Sequence, residues 1–149
     1  MSKQEIILGI DPGFGRVGFG VIEKMKTGEW RSLGYGCIET SSKKKFVDRL
    51  LEIYEEINLL IKKYQPYRVA VEELFFFKNV TTAIEVGQAR GVILLCAVLA
   101  DLPVDEFTPL QVKQAITGYG RAEKTQMQKM VAIILGIKGK IKSDDAADA

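Results

Sequence analysis

Leu50, Ile53, Tyr54, Ile57, Leu60, Ile61 and Tyr64 recur at three- and four-residue steps near the middle of this chain, and Asp48, Glu52, Glu55, Glu56, Lys62 and Lys63 fill the positions between. That spacing predicts an amphipathic α-helix from Phe46 to Tyr64, ended by Pro66. Three runs precede it. EIILGI, Glu5 to Ile10, reads as a strand buried on both faces and stops at an acid and the turn signal PGFG. RVGFGVIE, Arg16 to Glu23, and WRSLGYGCIE, Trp30 to Glu39, follow after short loops, as in an antiparallel meander. YRVAVEE, Tyr67 to Glu73, is the next strand. A long helix between the third and fourth strands is a crossover, so the fourth should run parallel to the first. The expected fold class is α/β, around a mixed sheet.

Downstream, Thr81 to Ala100 predicts a second long helix, almost wholly apolar after Gly91, which wants cover in the core or against a second subunit. The run GVILLCAVLA stops at Asp101 and is too short to span a bilayer. VDEF, Val104 to Phe107, predicts a short fifth strand. Helices are expected near Leu110 to Ile116 and over Thr125 to Leu135, the latter with Met127, Met130, Val131, Ile134 and Leu135 on its apolar face. Gly18 with Gly20, and Gly34 with Gly36, each share a sheet face, so another backbone can approach closely there; a packed helix is the expected partner. SDDAADA predicts the first turn of one more helix, capped by Ser143. So short a helix needs docking to exist in water. The expectation is a single domain over residues 1–149, cut short within that last helix.

There is no histidine among the 149 residues, and Cys37 and Cys96 are isolated in apolar sequence. Serine or cysteine nucleophile systems that depend on histidine are excluded within one subunit, as are the usual zinc sites. The two cysteines read as buried and inert, and with no signal-peptide pattern at the start the chain reads as cytoplasmic. Net charge is only +2, so nucleic-acid binding has to come from local patches such as Arg121 to Lys129 and Lys138 to Lys142; Lys43 to Lys45 reads as solvated surface.

Carboxylates therefore carry the chemistry. Asp11 follows the first strand and Glu72 ends the fourth, so parallel neighbours would deliver both to one sheet edge, where ligand crevices form. Glu72 is favoured over Glu73 because Ala70 and Glu72 share the face opposite Val69 and Val71. Asp145 and Asp148 fall one turn apart on a helix. Each acid alone also suits a blander place: a turn for Asp11, the helix dipole for the C-terminal aspartates, a strand end for Glu72. Together, four converging charges require a positive filler, for which magnesium or manganese is suited. Two such ions, about 3.5 to 4 Å apart, clamp a phosphodiester. The expected reaction is phosphodiester hydrolysis without a covalent intermediate.

GIDPGFGRVGFGVI, VEELFFFKN, GQARGVILLCAVLA, PLQVKQAITGYGRAEKTQMQKMV and SDDAADA, in this order and spacing, resemble the RuvC family of crossover-junction endodeoxyribonucleases over nearly the whole chain. The resemblance implies a ribonuclease H-like fold, with a five-stranded mixed sheet in order 3-2-1-4-5 and helices on both faces. It implies a homodimer that resolves Holliday junctions by paired symmetric nicks, with two Mg2+ per subunit (Mn2+ as substitute) and the RuvA/RuvB branch-migration complex as partner. It also assigns residues: metal-binding catalytic acids at Asp11, Glu72, Asp145 and Asp148, with Asp144 left out; essential basic positions at Lys113 and Lys124; and a junction-probing aromatic at Phe75.

That assignment explains three consecutive phenylalanines at the surface end of a strand. Phe75 is expected as a wedge stacking on an unpaired base, worth about 1 to 3 kcal/mol, while Phe76 and Phe77 suit core or dimer packing. Lys78 suits a phosphate contact or plain solvation. Lys113, Arg121 and Lys124 lie on and around TGYGRAEK, where glycines let a loop follow a phosphate backbone. The alternatives are another ribonuclease H-like nuclease acting on RNA and a junction-binding module that does not cut. GIDPGFG also resembles the phosphate loop of actin-like ATPases, which need a much longer chain.

Overall fold

The computed structural model describes residues 4–74 and 79–149. β1 (Ile6–Asp11), β2 (Arg16–Lys24) and β3 (Trp30–Glu39) form the meander, α1 (Phe46–Tyr64) crosses over, and β4 (Arg68–Glu72) returns beside β1. α2 (Val80–Leu99), β5 (Val104–Phe107), α3 (Pro109–Thr117), α4 (Lys124–Ile134) and α5 (Asp144–Asp148) complete the chain. The sheet order is β3-β2-β1-β4-β5. β2 is antiparallel to both β1 and β3, whereas β4 is parallel to β1 and to β5. The crossover supplied by α1 dictates that parallel pair.

Local chemistry sets the helix starts. Asn79 accepts hydrogen bonds from the Thr81 and Thr82 amides to open α2, and Thr108 caps α3 through the Gln111 amide. Ser143 caps α5 as expected, accepting from the Ala146 amide at 3.2 Å.

Alternation divides the sheet into two faces. Leu8, Ile10, Val17, Val21, Val69 and Val71 pack with Ile53 and Ile57 of α1 and Ala89, Ile93 and Cys96 of α2 in the main core. On the other face a smaller cluster of Ile141, Ala146 and Ala147 packs with Cys37, Val131, Ala132 and Ile137. The glycine pairs divide the same way. Gly18 and Gly20 lie bare beneath α5, whereas Gly34 lies under the Tyr64 hydroxyl and Gly36 under the Phe19 ring. Thus only the β2 pair meets helix backbone.

Three expectations need correction. Cys37 is half-buried and its thiol lies 2.9 Å from the Ser143 hydroxyl, because α5 brings that cap down on β3. Cys96 is fully buried, and burial pushes its thiol up to about 11. On α4 the fully covered residues are Met127 and Gln128, while Ile134 is exposed at its end. Finally, α2 as a whole meets a criterion that its apolar second half alone is too short for: over an 18-residue window it reaches a mean hydropathy of 1.5, long and apolar enough to cross a membrane by length and composition. A core helix meets that criterion too, and α2 buries Val86, Ala89, Ile93, Cys96 and Ala97 while Ile84, Leu95, Val98 and Leu99 stay exposed.

Candidate active site

Ile10 pairs with Val71 in the parallel ladder, so the next residues, Asp11 and Glu72, leave the sheet side by side. Val69 and Val71 are buried in the main core, which turns Glu72 to the opposite face and leaves Glu73 exposed. The turn after Asp11 is pinned from below. Phe14 is buried 4.8 Å from the Phe46 ring, with the Arg49 guanidinium 3.8 Å from its own ring centre. The Thr40 hydroxyl donates to the Phe14 carbonyl at 2.7 Å, tying the turn to the end of β3.

The remaining acids arrive on α5. Bare backbone at Gly18 and Gly20 lets this helix lie against β2, so near that a methyl group at Gly18 would collide with the Asp145 carbonyl oxygen. Docking at that distance carries Asp148 to the acids of the sheet. One carboxylate oxygen from each of Asp11, Glu72 and Asp148 lies within 4.8 Å of the others. Asp145 stands apart from this trio, with its carboxylate 3.8 Å from Arg16, which also pairs with Glu39 at 3.3 Å. Asp144 points away to Lys124 and Gln128.

Crowded, half-buried carboxylates hold protons tightly. Burial, and then the Glu72 carboxylate, push Asp11 up to about 9. Glu72 is raised mainly by burial and further by Asp148, although its bond from Asp11 and the Lys113 charge act the other way. Burial followed by Asp145 and Asp144 raises Asp148. The trio thus needs positive charge, and its donors are all hard oxygens. A divalent cation of the magnesium or manganese kind fits Asp11, Glu72 and Asp148.

The basic residues form a rim. Lys113 sits on α3, within the helix expected near Leu110 to Ile116, and lies near enough to Glu72 and Asp148 to oppose their protonation. Lys124 opens α4 with its ammonium 3.1 Å from Asp144. Arg121 is exposed on the loop between those helices, without an ion pair among the described residues. Phe75 and Lys78 lie outside the described residues. Arg16 and Gln128 escaped the sequence reading, whereas Asp144, left out of the acid set there, is engaged by Lys124 and Gln128 instead; the signal for Gln128 was its four-residue spacing from Lys124 on one helix face.

A mixed sheet in this order, with carboxylates gathered where its central parallel strands end, defines the ribonuclease H-like class of hydrolytic nuclease. The family model described as "Crossover junction endodeoxyribonuclease RuvC" matches residues 7–149, and the chain belongs to that family. The crossover junction endodeoxyribonuclease RuvC of Petrotoga mobilis is 53% identical over 144 residues, covering 97% of this chain and 88% of the relative. The Thermus thermophilus RuvC structure superposes with a TM-score of 0.87 at 36% identity, over 97% of this chain and 88% of that one. T. thermophilus RuvC in complex with a Holliday junction substrate gives a TM-score of 0.86 at 33% identity, over 97% and 87%.

Proposed function

We propose that this chain is a Holliday-junction resolvase of the cytoplasm, hydrolysing phosphodiesters in two strands of a four-way junction during recombination and repair. The observation that carries the reading is the convergence of Asp11, Glu72 and Asp148 from two parallel strands and a docked helix. A solved relative bound to a Holliday junction supports the substrate.

Divalent cations, two Mg2+ per subunit with Mn2+ able to substitute, supply charge neutralisation at the scissile phosphate. Asp11, Glu72 and Asp148 would hold them, with Asp145, 3.8 Å from Arg16, as the fourth carboxylate of the set. Lys113 faces the same space with a fixed positive charge, while Lys124 and Arg121 bind flanking phosphates. Such contacts orient a substrate and carry little sequence information. Phe75 stacks on an unpaired base at the crossover and Lys78 contacts a phosphate beside it. Phe75→Ala is expected to leave junction affinity nearly intact while lowering incision by about ten-fold or more, as read by gel-shift and single-turnover cleavage. A large loss of affinity instead would misplace the wedge.

Two incisions related by symmetry call for two active sites. The exposed stripe of Ile84, Leu95, Val98 and Leu99 on α2 supports a homodimer, with the RuvA/RuvB complex as its partner on DNA. Analytical ultracentrifugation should give twice the chain mass of 16.6 kDa, and Leu99→Asp should halve it. A wild-type monomer at micromolar concentration would count against the dimer.

The direct test incubates the protein with labelled four-way and linear duplex DNA, with and without magnesium. Paired, ligatable nicks near the crossover are expected only with the junction and the metal. An uncut junction, or equal nicking of the linear duplex, would overturn the reading.

A further inference from the structure

Asp144 takes no part in the acid trio, yet both of its carboxylate oxygens are engaged. Oδ1 accepts a hydrogen bond from the Gln128 amide, and Oδ2 lies 3.1 Å from the Lys124 ammonium. Lys124 and Gln128 stand four apart on α4, one turn along the same face. They differ in setting: Gln128 is 7% exposed, whereas the Lys124 side chain is 76% exposed. A buried amide must find its partner inside the protein. Gln128 therefore orients the carboxylate from below and leaves Oδ2 facing outward. A lysine stem is otherwise among the most freely rotating of side chains. Here its charge is tethered to the residue preceding Asp145, close enough to act on Asp148.

We propose that Asp144, oriented by Gln128, is a positioning residue that keeps the Lys124 ammonium at the rim of the acid trio, where a substrate phosphate meets it. The inference rests on the phosphate-binding role given to Lys124 above. Because the pair is exposed its hold is weak, so the ammonium can turn to a phosphate oxygen without leaving a deep well. The effect is on orientation in the reacting complex, and so on rate more than on binding.

Asp144→Asn separates this role from a scaffolding one. The asparagine carbonyl can still accept from Gln128, but the group facing Lys124 carries no negative charge. Junction cleavage by Asp144→Asn is expected to show kcat lower by about three- to five-fold with KM unchanged. Asp144→Ala should match it, and neither change should lower the rate further in a Lys124→Ala background. A purely structural Asp144 would leave Asp144→Asn at the wild-type rate, and a competitor for the ammonium would raise the rate on removal; either result overturns the proposal. The pair is also read without cleavage. Nitrogen-detected NMR of the lysine ammonium groups, in metal-free protein without DNA, should show a Lys124 resonance distinct from other lysines and lost in Asp144→Asn. An identical signal in both proteins defeats the pairing itself, whereas an intact signal in a protein that cuts no junction defeats the functional reading beneath it.

Discussion

Asp11→Asn is expected to lower metal-dependent junction cleavage by at least about 10³-fold, and at the same time to make the metal-free protein more stable. Both effects come from one carboxylate. Its loss leaves Glu72 and Asp148 without the partner that completes the trio. The stability gain follows from proton linkage. In the folded, metal-free protein Asp11 is raised from its ordinary value to about 9, first by burial and next by Glu72. Between those limits the folded state holds a proton that the unfolded chain has released, so stability is fully present below about pH 4 and is lost as pH rises towards 9. Asparagine has no proton to lose. The melting temperature of Asp11→Asn in chelator should therefore exceed that of wild type by about 5 °C at pH 8, with the difference vanishing near pH 4. Adding Mn2+ at pH 8 should stabilise wild type far more than the variant, since the cation replaces the bound proton. Differential scanning fluorimetry across pH reads all three. Equal melting of the two proteins in chelator at pH 8 would mean that Asp11 is neither buried nor crowded as described.

Gly18→Ala should also damage catalysis, although Gly18 has no side chain to offer a substrate or metal. Its missing side chain is the space in which the backbone of Asp145 lies. β2 is held in ladders on both sides, whereas α5 is a five-residue helix, so a new methyl group displaces the helix rather than the strand. Overpacking costs about 1 to 3 kcal/mol. A misplacement of about 1 Å in a catalytic group can lower a rate by about 10²-fold, and that is the loss expected in kcat. Gly34→Ala is the matched control. Its methyl group meets the Tyr64 hydroxyl, the far end of a side chain that can swing aside, and near-normal cleavage is expected. Wild-type cleavage by Gly18→Ala would show that the position of α5 does not govern the site.

The strands and long helices were legible because local periodicity and tertiary burial agree in them. α1 spans Phe46–Tyr64, the bounds expected from its periodicity, and β5 matches VDEF residue for residue. Glu72 was separable from Glu73 by alternation alone, since β4 is buried on one face by Val69 and Val71. Cys37 was misread for the opposite reason. The polar group that meets its thiol comes from Ser143, 106 residues away, and no local pattern carries that contact. Arg16 was missed likewise, because its claim on Asp145 depends on how α5 lies over β2.

The amino-acid order by itself determined the mixed sheet, the edge at which Asp11 and Glu72 emerge, and the dependence on carboxylates that follows from having no histidine. These are consequences of period, crossover and residue inventory, all of which act along the chain. Only the tertiary structure decided how the acids share the work: Asp148 joins the trio, Asp145 leans to Arg16, and Asp144 turns to Lys124 and Gln128. Three aspartates within five residues are nearly equivalent in sequence. They become distinct when a helix turn aims each in a different direction against a surface made of other segments.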